Sequence, residues 1–317
     1  MTARKVIVTG ASGWLGAEIC SQLSRSGADV IGISRTKPRA GIPWIQTDIS
    51  DFSSVSNAIR HADALIHAAG LAHQFRGARQ DALEKANVIG TENVIRAAAN
   101  AGTPRLVITS SMAVYAPSEE PLDEQSPTMP ISVYGKTKLN AEMSAANIAS
   151  ASNCQLKILR LATLYGPGDR GNVARLMRRI DRRRFFWIGT GENSKSLIHV
   201  SDAARACIVA ASLPTSRTVY NVAGGAYRML SIVEALSFAL GRKPLPFSVP
   251  EAVAYKAASV LQLTGRVGRT QADTLRKWLS NDILDGSRFA VEAHFRPYRD
   301  LREGIAEEVQ WYRSQVT

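Results

Sequence analysis

Cysteine is scarce in this chain, and the three present, Cys20, Cys154 and Cys207, form no close pair. That excludes a disulfide framework and a cysteine-based zinc site, and each thiol reads as a small buried hydrophobe. Long apolar runs are missing too. A membrane-spanning helix needs about 20 nearly continuous apolar residues, whereas the stretch Ala64–Ala69 is far shorter and already contains His67. After Arg4 and Lys5, the short run Val6-Ile7-Val8 leads straight to Gly10, leaving no apolar core for a secretory leader. The expected localisation is therefore cytoplasmic. Acidic residues are the scarcer charge: 27 Asp and Glu face 39 Lys and Arg, a formal net charge of +12. This balance favours anionic ligands or surfaces, whether nucleic acid, acidic lipid or phosphorylated metabolites. The densest basic run is Arg175–Arg184, with Arg at 175, 178, 179, 182, 183 and 184. A solvated helix face is its plain reading, and diphosphate steering or membrane attraction are the alternatives.

With 317 residues, 45% hydrophobic and 21% charged, and 23 Gly and 13 Pro, the composition is that of a folded globular protein of one large or two ordinary domains. Short β-branched runs at Lys5–Thr9, Asp29–Ser34, Ala64–His67, Arg105–Ser110 and Leu156–Leu161 read as strands. Amphipathic stretches at Gly16–Gly27, Val55–Arg60, Asn87–Ala101 and Ser132–Ala149 read as the helices between them. Apolar runs separated by helical patterns predict parallel strands buried on both faces. The fold class is thus α/β, a doubly wound parallel sheet. After Tyr165-Gly166-Pro167-Gly168 the alternation fades, which suggests a smaller second domain, with one more sheet strand near Thr218–Val222.

The first strand runs into Thr9-Gly10-Ala11-Ser12-Gly13-Trp14-Leu15-Gly16 and then a helix. Glycines there let the backbone turn tightly and approach a pyrophosphate, which the free amides of the helix N-terminus receive. In its three-residue spacing the turn resembles the short-chain dehydrogenase/reductase superfamily, in particular its extended branch of NAD(P)-dependent nucleotide-sugar epimerases and dehydratases. Asp48-Ile49 resembles that family's adenine-contacting segment, His67-Ala68-Ala69-Gly70 the segment beside the cofactor, and Asn87-Val88-Ile89-Gly90-Thr91 its next helix. The resemblance implies a Rossmann-type domain at 1–163 and 196–224 and a smaller C-terminal substrate-binding domain at 164–195 and 225–317. It also implies cofactor contacts at Gly10, Ser12, Gly13, Trp14, Leu15, Gly16, Ser34, Arg35, Asp48, Ile49, Ala68, Ala69, Gly70, Asn87, Tyr134 and Lys138. At the end of the second strand an acidic residue would hold the ribose and repel a 2′-phosphate. Ser34 stands there instead, followed by Arg35, with Lys37 and Arg39 behind. A guanidinium suits a phosphate, so NADP(H) is favoured, with NAD(H) the alternative.

Tyr134-Gly135-Lys136-Thr137-Lys138 puts a phenol and an ammonium one turn apart on a single helix face. A neighbouring cation, together with the positive nicotinamide of the oxidised cofactor, favours the phenolate and brings the tyrosine toward a working pKa. Gly135 inside this helix is read as a close approach to the cofactor. By the resemblance, Ser111 is the third catalytic residue with Tyr134 and Lys138. Sugar dehydratases of the family carry an Asp-Glu pair directly after that serine, and here Met112 and Ala113 follow. Neither moves a proton, which leaves hydride transfer coupled to proton transfer.

Arg160-Leu161-Ala162-Thr163-Leu164-Tyr165-Gly166-Pro167 resembles the family's substrate segment, with Thr163 where Asn is usual. Asn172-Val173 resembles the diphosphate- and base-contacting pair, and Lys195 stands for a diphosphate-binding arginine. Ser111, Met112, Tyr134, Thr163, Asn172, Val173 and Lys195 are therefore the expected substrate contacts. The first expectation is reduction of the C4 ketone of a nucleotide-activated sugar, UDP-linked and 6-deoxy. The alternatives are a UDP-sugar 4-epimerase with bound NAD and a reductase of a steroid-like or phenolic ketone. A non-catalytic redox-sensing protein would be expected to have lost Tyr134 or Lys138. The expected partner is a small nucleotide sugar rather than nucleic acid, with no metal and no integral membrane segment, and the resemblance implies a homodimer. The segment Pro250–Arg269 matches no interpretable pattern.

Overall fold

The computed structural model describes residues 5–39, 41–71, 80–262 and 275–315. Its centre is a seven-stranded sheet of β1 (Lys5–Thr9), β2 (Asp29–Ser34), β3 (Trp44–Gln46), β4 (Ala64–His67), β5 (Arg105–Ser111), β6 (Gln155–Leu161) and β10 (Val219–Val222). The order is β10-β6-β5-β4-β1-β2-β3, and every neighbouring pair is parallel. This is the doubly wound Rossmann-type architecture. Val6 and Val8 point into one apolar layer and Ile7 into the other, which is why the strands read as continuous apolar runs rather than alternating ones. The first layer is covered by α1 (Trp14–Arg25) and α7 (Val200–Ala210), the second by α2 (Phe52–Ala58), α4 (Gly90–Asn100) and α5 (Val133–Ser150). Cys20 and Cys207 lie in the first layer, where burial pushes both thiols up to about 12.

Local chemistry sets the helix ends. α1 begins at Trp14 rather than Gly16 because Gly13 is its N-cap, and the chain leaves the helix before Gly27, whose φ is +79°. α2 begins at Phe52 because the Asp51 carboxylate accepts the amides of Ser53 and Ser54, supplying the cap that an exposed first turn needs. The helix expected over Asn87–Ala101 is three pieces: α3 (Gln80–Glu84), a π-helical turn over Lys85–Ile89, and α4. Such turns recur at functional sites because they re-aim side chains.

A third apolar cluster sits beyond the strand ends. In it Val173, Met177 and Ile180 of α6 (Asn172–Asp181) pack with Ile232 and Leu236 of α8 (Met229–Leu240) and with Ile305 and Val309 of the helix Leu301–Ser314. It is bordered by a small sheet in the order β11-β9-β7, made of β7 (Thr163–Tyr165), β9 (Ser194–His199) and β11 (Gly225–Arg228). A two-stranded ribbon, β8 (Trp187–Ile188) with β12 (Ser248–Val249), lies beside α9 (Glu251–Gln262). Of the uninterpreted stretch Pro250–Arg269, the residues after 262 lie outside the described ones. Among the described residues no helix is long and apolar enough to cross a membrane.

Candidate active site

The glycine turn is shaped by backbone contact. Gly10 has φ +73°, and a Cβ there would lie 2.6 Å from the amide nitrogen of Ala69. A Cβ on Gly16 would fall onto the Gly10 carbonyl. Any side chain at either position would push β1, α1 and the Ala68-Ala69 segment apart. No side chain caps α1 and its first turn carries no acid, so the amides at Trp14, Leu15 and Gly16 fit an anionic pyrophosphate. Gly13 has only the Gly10 carbonyl near its missing Cβ, and Ser12 is exposed. Trp14 turns away from this cradle and donates Nε1–H to the Pro167 carbonyl at 2.7 Å, tying the turn to the loop after β7.

Ser111 ends β5, where its Oγ accepts the Ala113 amide at 3.2 Å and hydrogen-bonds the Tyr134 phenol. α5 starts one residue before Tyr134, and Ser132 caps it by accepting the Gly135 amide at 3.0 Å. Lys138, one turn further on, is buried and donates to the Thr109 carbonyl at 2.7 Å. The three expected catalytic residues are therefore held at the end of β5 and the start of α5. Gly70 approaches the same place, since a Cβ on it would lie 3.7 Å from Lys138 Nζ and 3.0 Å from Asn87 Oδ1. Asn87, in the π-helical turn, accepts the Leu71 amide at 2.8 Å and donates to the Leu71 carbonyl and to Thr137 Oγ1, both at 3.1 Å. His67 beneath it lies 2.6 Å from Thr9 Oγ1, and burial holds it down to about 3, so it is a neutral scaffold residue.

In the chain by itself, burial raises the Tyr134 phenol, opposed by the Ser111 hydrogen bond. Lys138 is itself lowered, to about 8, mainly by burial, with Glu142 acting to raise it. Desolvation moves both groups toward their neutral forms, since the charged phenolate and the charged ammonium each lose solvation on burial. Gly135 also has another reason. A Cβ there would strike the Ala113 carbonyl, with the Pro130 ring 2.9 Å away, so the glycine lets α5 pack on the turn after Ser111.

Sequence reasoning missed Glu142. It lies one turn after Lys138 and two after Tyr134, and this i, i+4, i+8 spacing was its available signal. Its carboxylate accepts from Ser110 Oγ and pairs with the Arg160 guanidinium at 2.7 Å, both partners being buried. Arg160 also donates to Tyr115 OH at 2.8 Å, and that hydroxyl donates to Asn221 Oδ1 at 2.9 Å. The network locks β5, α5, β6 and β10 together directly behind Ser111.

At the adenosine end, Ser34 is buried, donating to the Thr36 carbonyl at 2.7 Å and accepting from Trp44 Nε1 at 2.9 Å. Arg35 beside it is exposed. Asp48 accepts the Ser50 amide at 2.9 Å, which holds its carboxyl below the usual range, and Arg35 adds to that effect. Ile49 packs against Gly90, where an added Cβ would lie 2.6 Å from its Cδ1. On the substrate side, Met112 and Thr163 are half-buried, the latter at the start of β7. Asn172 is exposed at the start of α6 and accepts from Arg175, while Val173 is buried in the third apolar cluster. Lys195 donates to the carbonyls of Lys277 and Ser280 and to Asp282 Oδ2 at 2.5, 2.7 and 2.8 Å. Its ammonium is thus already surrounded by protein oxygens. Among the described residues no group of three or more His, Cys, Asp or Glu side chains is arranged to hold a metal ion.

Residues 6–223 match the model of the NAD dependent epimerase/dehydratase family. The chain is similar to the 2-alkyl-3-oxoalkanoate reductase of Stenotrophomonas maltophilia (strain K279a), 29% identical and covering 96% of each chain. It is also similar to the dTDP-4-dehydro-6-deoxy-D-allose reductase of Streptomyces sp, 26% identical over 98% of this chain and 96% of that one. Among solved structures, MoeE5 in complex with UDP-glucuronic acid and NAD superposes with a TM-score of 0.79 at 26% identity, covering 98% of this chain and 99% of that one. The chain belongs to the NAD dependent epimerase/dehydratase family and is an NAD(P)-dependent enzyme of the oxidoreductase/epimerase kind.

Proposed function

We propose that this enzyme is an NADP(H)-using reductase of the C4 ketone of a nucleotide-activated sugar, with the glycine turn, Gly70 and Asn87 flanking the cofactor. The observation that carries this reading is the hydrogen-bonded Ser111–Tyr134 pair beside buried Lys138, followed by Met112 and Ala113 rather than by acids. The bound nicotinamide supplies two-electron chemistry. Ser111 and Tyr134 would hold the ketone oxygen, and Tyr134 would donate the proton that oxygen needs as it becomes an alkoxide. A raised phenol pKa suits this direction, because the group stays protonated until it acts as the acid. Lys138, charged below about 8, would stabilise the phenolate left behind. Arg35, exposed beside a serine whose hydroxyl is already committed, supports a 2′-phosphate contact. In this reading the third apolar cluster and its small sheets form the substrate-binding domain and the seven-stranded sheet the dinucleotide-binding one.

The commitment of Lys195 to Asp282 and two carbonyls, and the burial of Val173, favour a second reading: a ketone substrate without a nucleotide diphosphate. The 2-alkyl-3-oxoalkanoate reductase relative points the same way. One assay series separates the possibilities. With a UDP-4-keto-6-deoxy sugar, the absorbance of NADPH is expected to fall one for one with product, and faster than that of NADH. Turnover of apolar ketones alone supports the second reading. Equilibration of UDP-glucose with its C4 epimer without added cofactor overturns both, and equal use of NADH overturns the role of Arg35.

A further inference from the structure

Two segments are not used by the proposed reaction: the end of the basic run Arg175–Arg184 and the stretch leading into Pro250. The fold brings them to one face. After α6, Arg182, Arg183 and Arg184 are exposed, with Arg183 at φ 53° and the Arg184 amide bonded to the Arg179 carbonyl at 2.8 Å. Phe185 turns into the core and Phe186 out of it. The Phe186 ring stacks on Phe247 with centroids 5.1 Å apart, yet the two side chains remain 37% and 52% exposed. The loop carrying Phe247 is fastened there by the Leu245 amide, which donates to the Phe185 carbonyl at 2.9 Å, and by the pairing of β12 with β8. This loop leaves α8 through Gly241 and carries exposed Arg242 and Lys243, and just before it Phe238 is 89% exposed.

The charge around these aromatics has one sign. Residues 182–191 and 235–250 contain Arg182, Arg183, Arg184, Arg242 and Lys243 and no Asp or Glu. The acids that flank them are Asp181, which accepts a hydrogen bond from Tyr312 at 3.0 Å, Glu192, which is exposed and paired with Arg228 at 3.0 Å, Glu251, whose carboxyl lies against Gly189, and exposed Glu234 one turn before Phe238. Core packing explains none of the exposed rings. Nucleic acid would need free ring faces on which bases could stack, and Phe186 and Phe247 spend a face on each other.

We propose that this face docks on an anionic phospholipid bilayer. Phe186, Phe238 and Phe247 enter the boundary between headgroups and acyl chains, and the five cations meet the lipid phosphates. Aromatic side chains at that depth and long basic side chains reaching back to the headgroups are the two contributions such binding requires. Each basic residue near an anionic surface multiplies affinity by about fivefold, so five of them turn a weak apolar contact into stable attachment.

The test is co-sedimentation of the whole chain with vesicles of phosphatidylcholine alone or mixed with phosphatidylglycerol. Binding is expected with the anionic vesicles only and is expected to weaken as salt is raised. The double variant Arg183→Glu/Arg184→Glu is expected to bind at least about 25-fold more weakly, and Phe247→Glu at least about tenfold more weakly. Unfolding midpoint and cofactor consumption should stay unchanged in both. Phe238→Glu, on a solvent-facing helix position, provides the same readout if Phe247→Glu folds poorly. No binding to anionic vesicles overturns the proposal. So does equal binding to neutral ones, retention by DNA in place of vesicles, or a dimer that Phe247→Glu dissociates without any vesicle binding.

Discussion

In the proposed reaction Tyr134 is the residue on which the chemistry turns, and its surroundings define what its hydroxyl would do. Burial raises the phenol and the Ser111 hydrogen bond opposes this, so the group rests in its protonated form near neutrality and would give up its proton only as charge develops on the substrate oxygen. Tyr134→Phe removes one oxygen and leaves the ring to keep the pocket's shape. Turnover is expected to fall by about 10²–10⁴, while cofactor affinity, measured by titration, stays within a few-fold. A variant retaining more than about a tenth of the wild-type rate would mean that the proton travels by another route. Spacing and order nominate the tyrosine, the lysine and the serine in the sequence. Their pKa directions cannot be read there, because burial dominates them and burial belongs to the folded chain.

At the scale of elements, β5 and α5 carry the site, and the Glu142–Arg160 pair couples them to β6. In the proposed reaction Glu142 would act through Lys138 and Ser110, as a positioning residue. The Lys138 ammonium is present below about 8 and lost above it, and Glu142 is what holds that value up. In Glu142→Gln the alkaline limb of the rate–pH profile is expected to move to lower pH. Arg160 loses its buried counter-charge, at a cost of up to about 3–5 kcal/mol in stability. A purely structural Glu142 would lower the unfolding midpoint and leave the alkaline limb in place. Sequence periodicity found β1, β2, β4 and the bodies of α1 and α5 to within a few residues, since apolar runs and Ala-rich amphipathic stretches report burial directly. It missed the π-helical turn holding Asn87 and the Asp51 cap of α2, where one side-chain bond decides the geometry. It also missed the Asp282 partner of Lys195, 87 residues away in the chain, because no local pattern reports so distant a contact.

Across the whole molecule, the loop after β7 and the helix Leu301–Ser314 of the third apolar cluster meet at a buried carboxyl. Glu308, on the helix Leu301–Ser314, accepts the Gly166 amide at 3.1 Å, while its other oxygen has no hydrogen-bond partner. Burial and the nearby Asp169 raise it to about 9, against the helping charge of Arg178. Asp169 is raised too, chiefly by burial, while its oxygens accept the amides of Gly171 and Ala174 at 2.5 and 2.8 Å. For a carboxyl raised in the folded state, the folded chain binds more protons than the unfolded one between the two pKa values. Its contribution is therefore fully favourable below the ordinary carboxylate range and is lost progressively as pH rises toward about 9. Thermal unfolding is expected to show a midpoint that declines from mildly acidic to alkaline pH. Glu308→Gln keeps an acceptor for Gly166, supplies an amide in place of an acid, and removes the titration. Its midpoint is expected to exceed that of the wild type by a few degrees at pH about 8 and to converge with it near pH about 5. A wild-type midpoint independent of pH across that range, or a variant that is less stable at both ends, would mean that Glu308 is ionised at neutral pH and paired with Arg178.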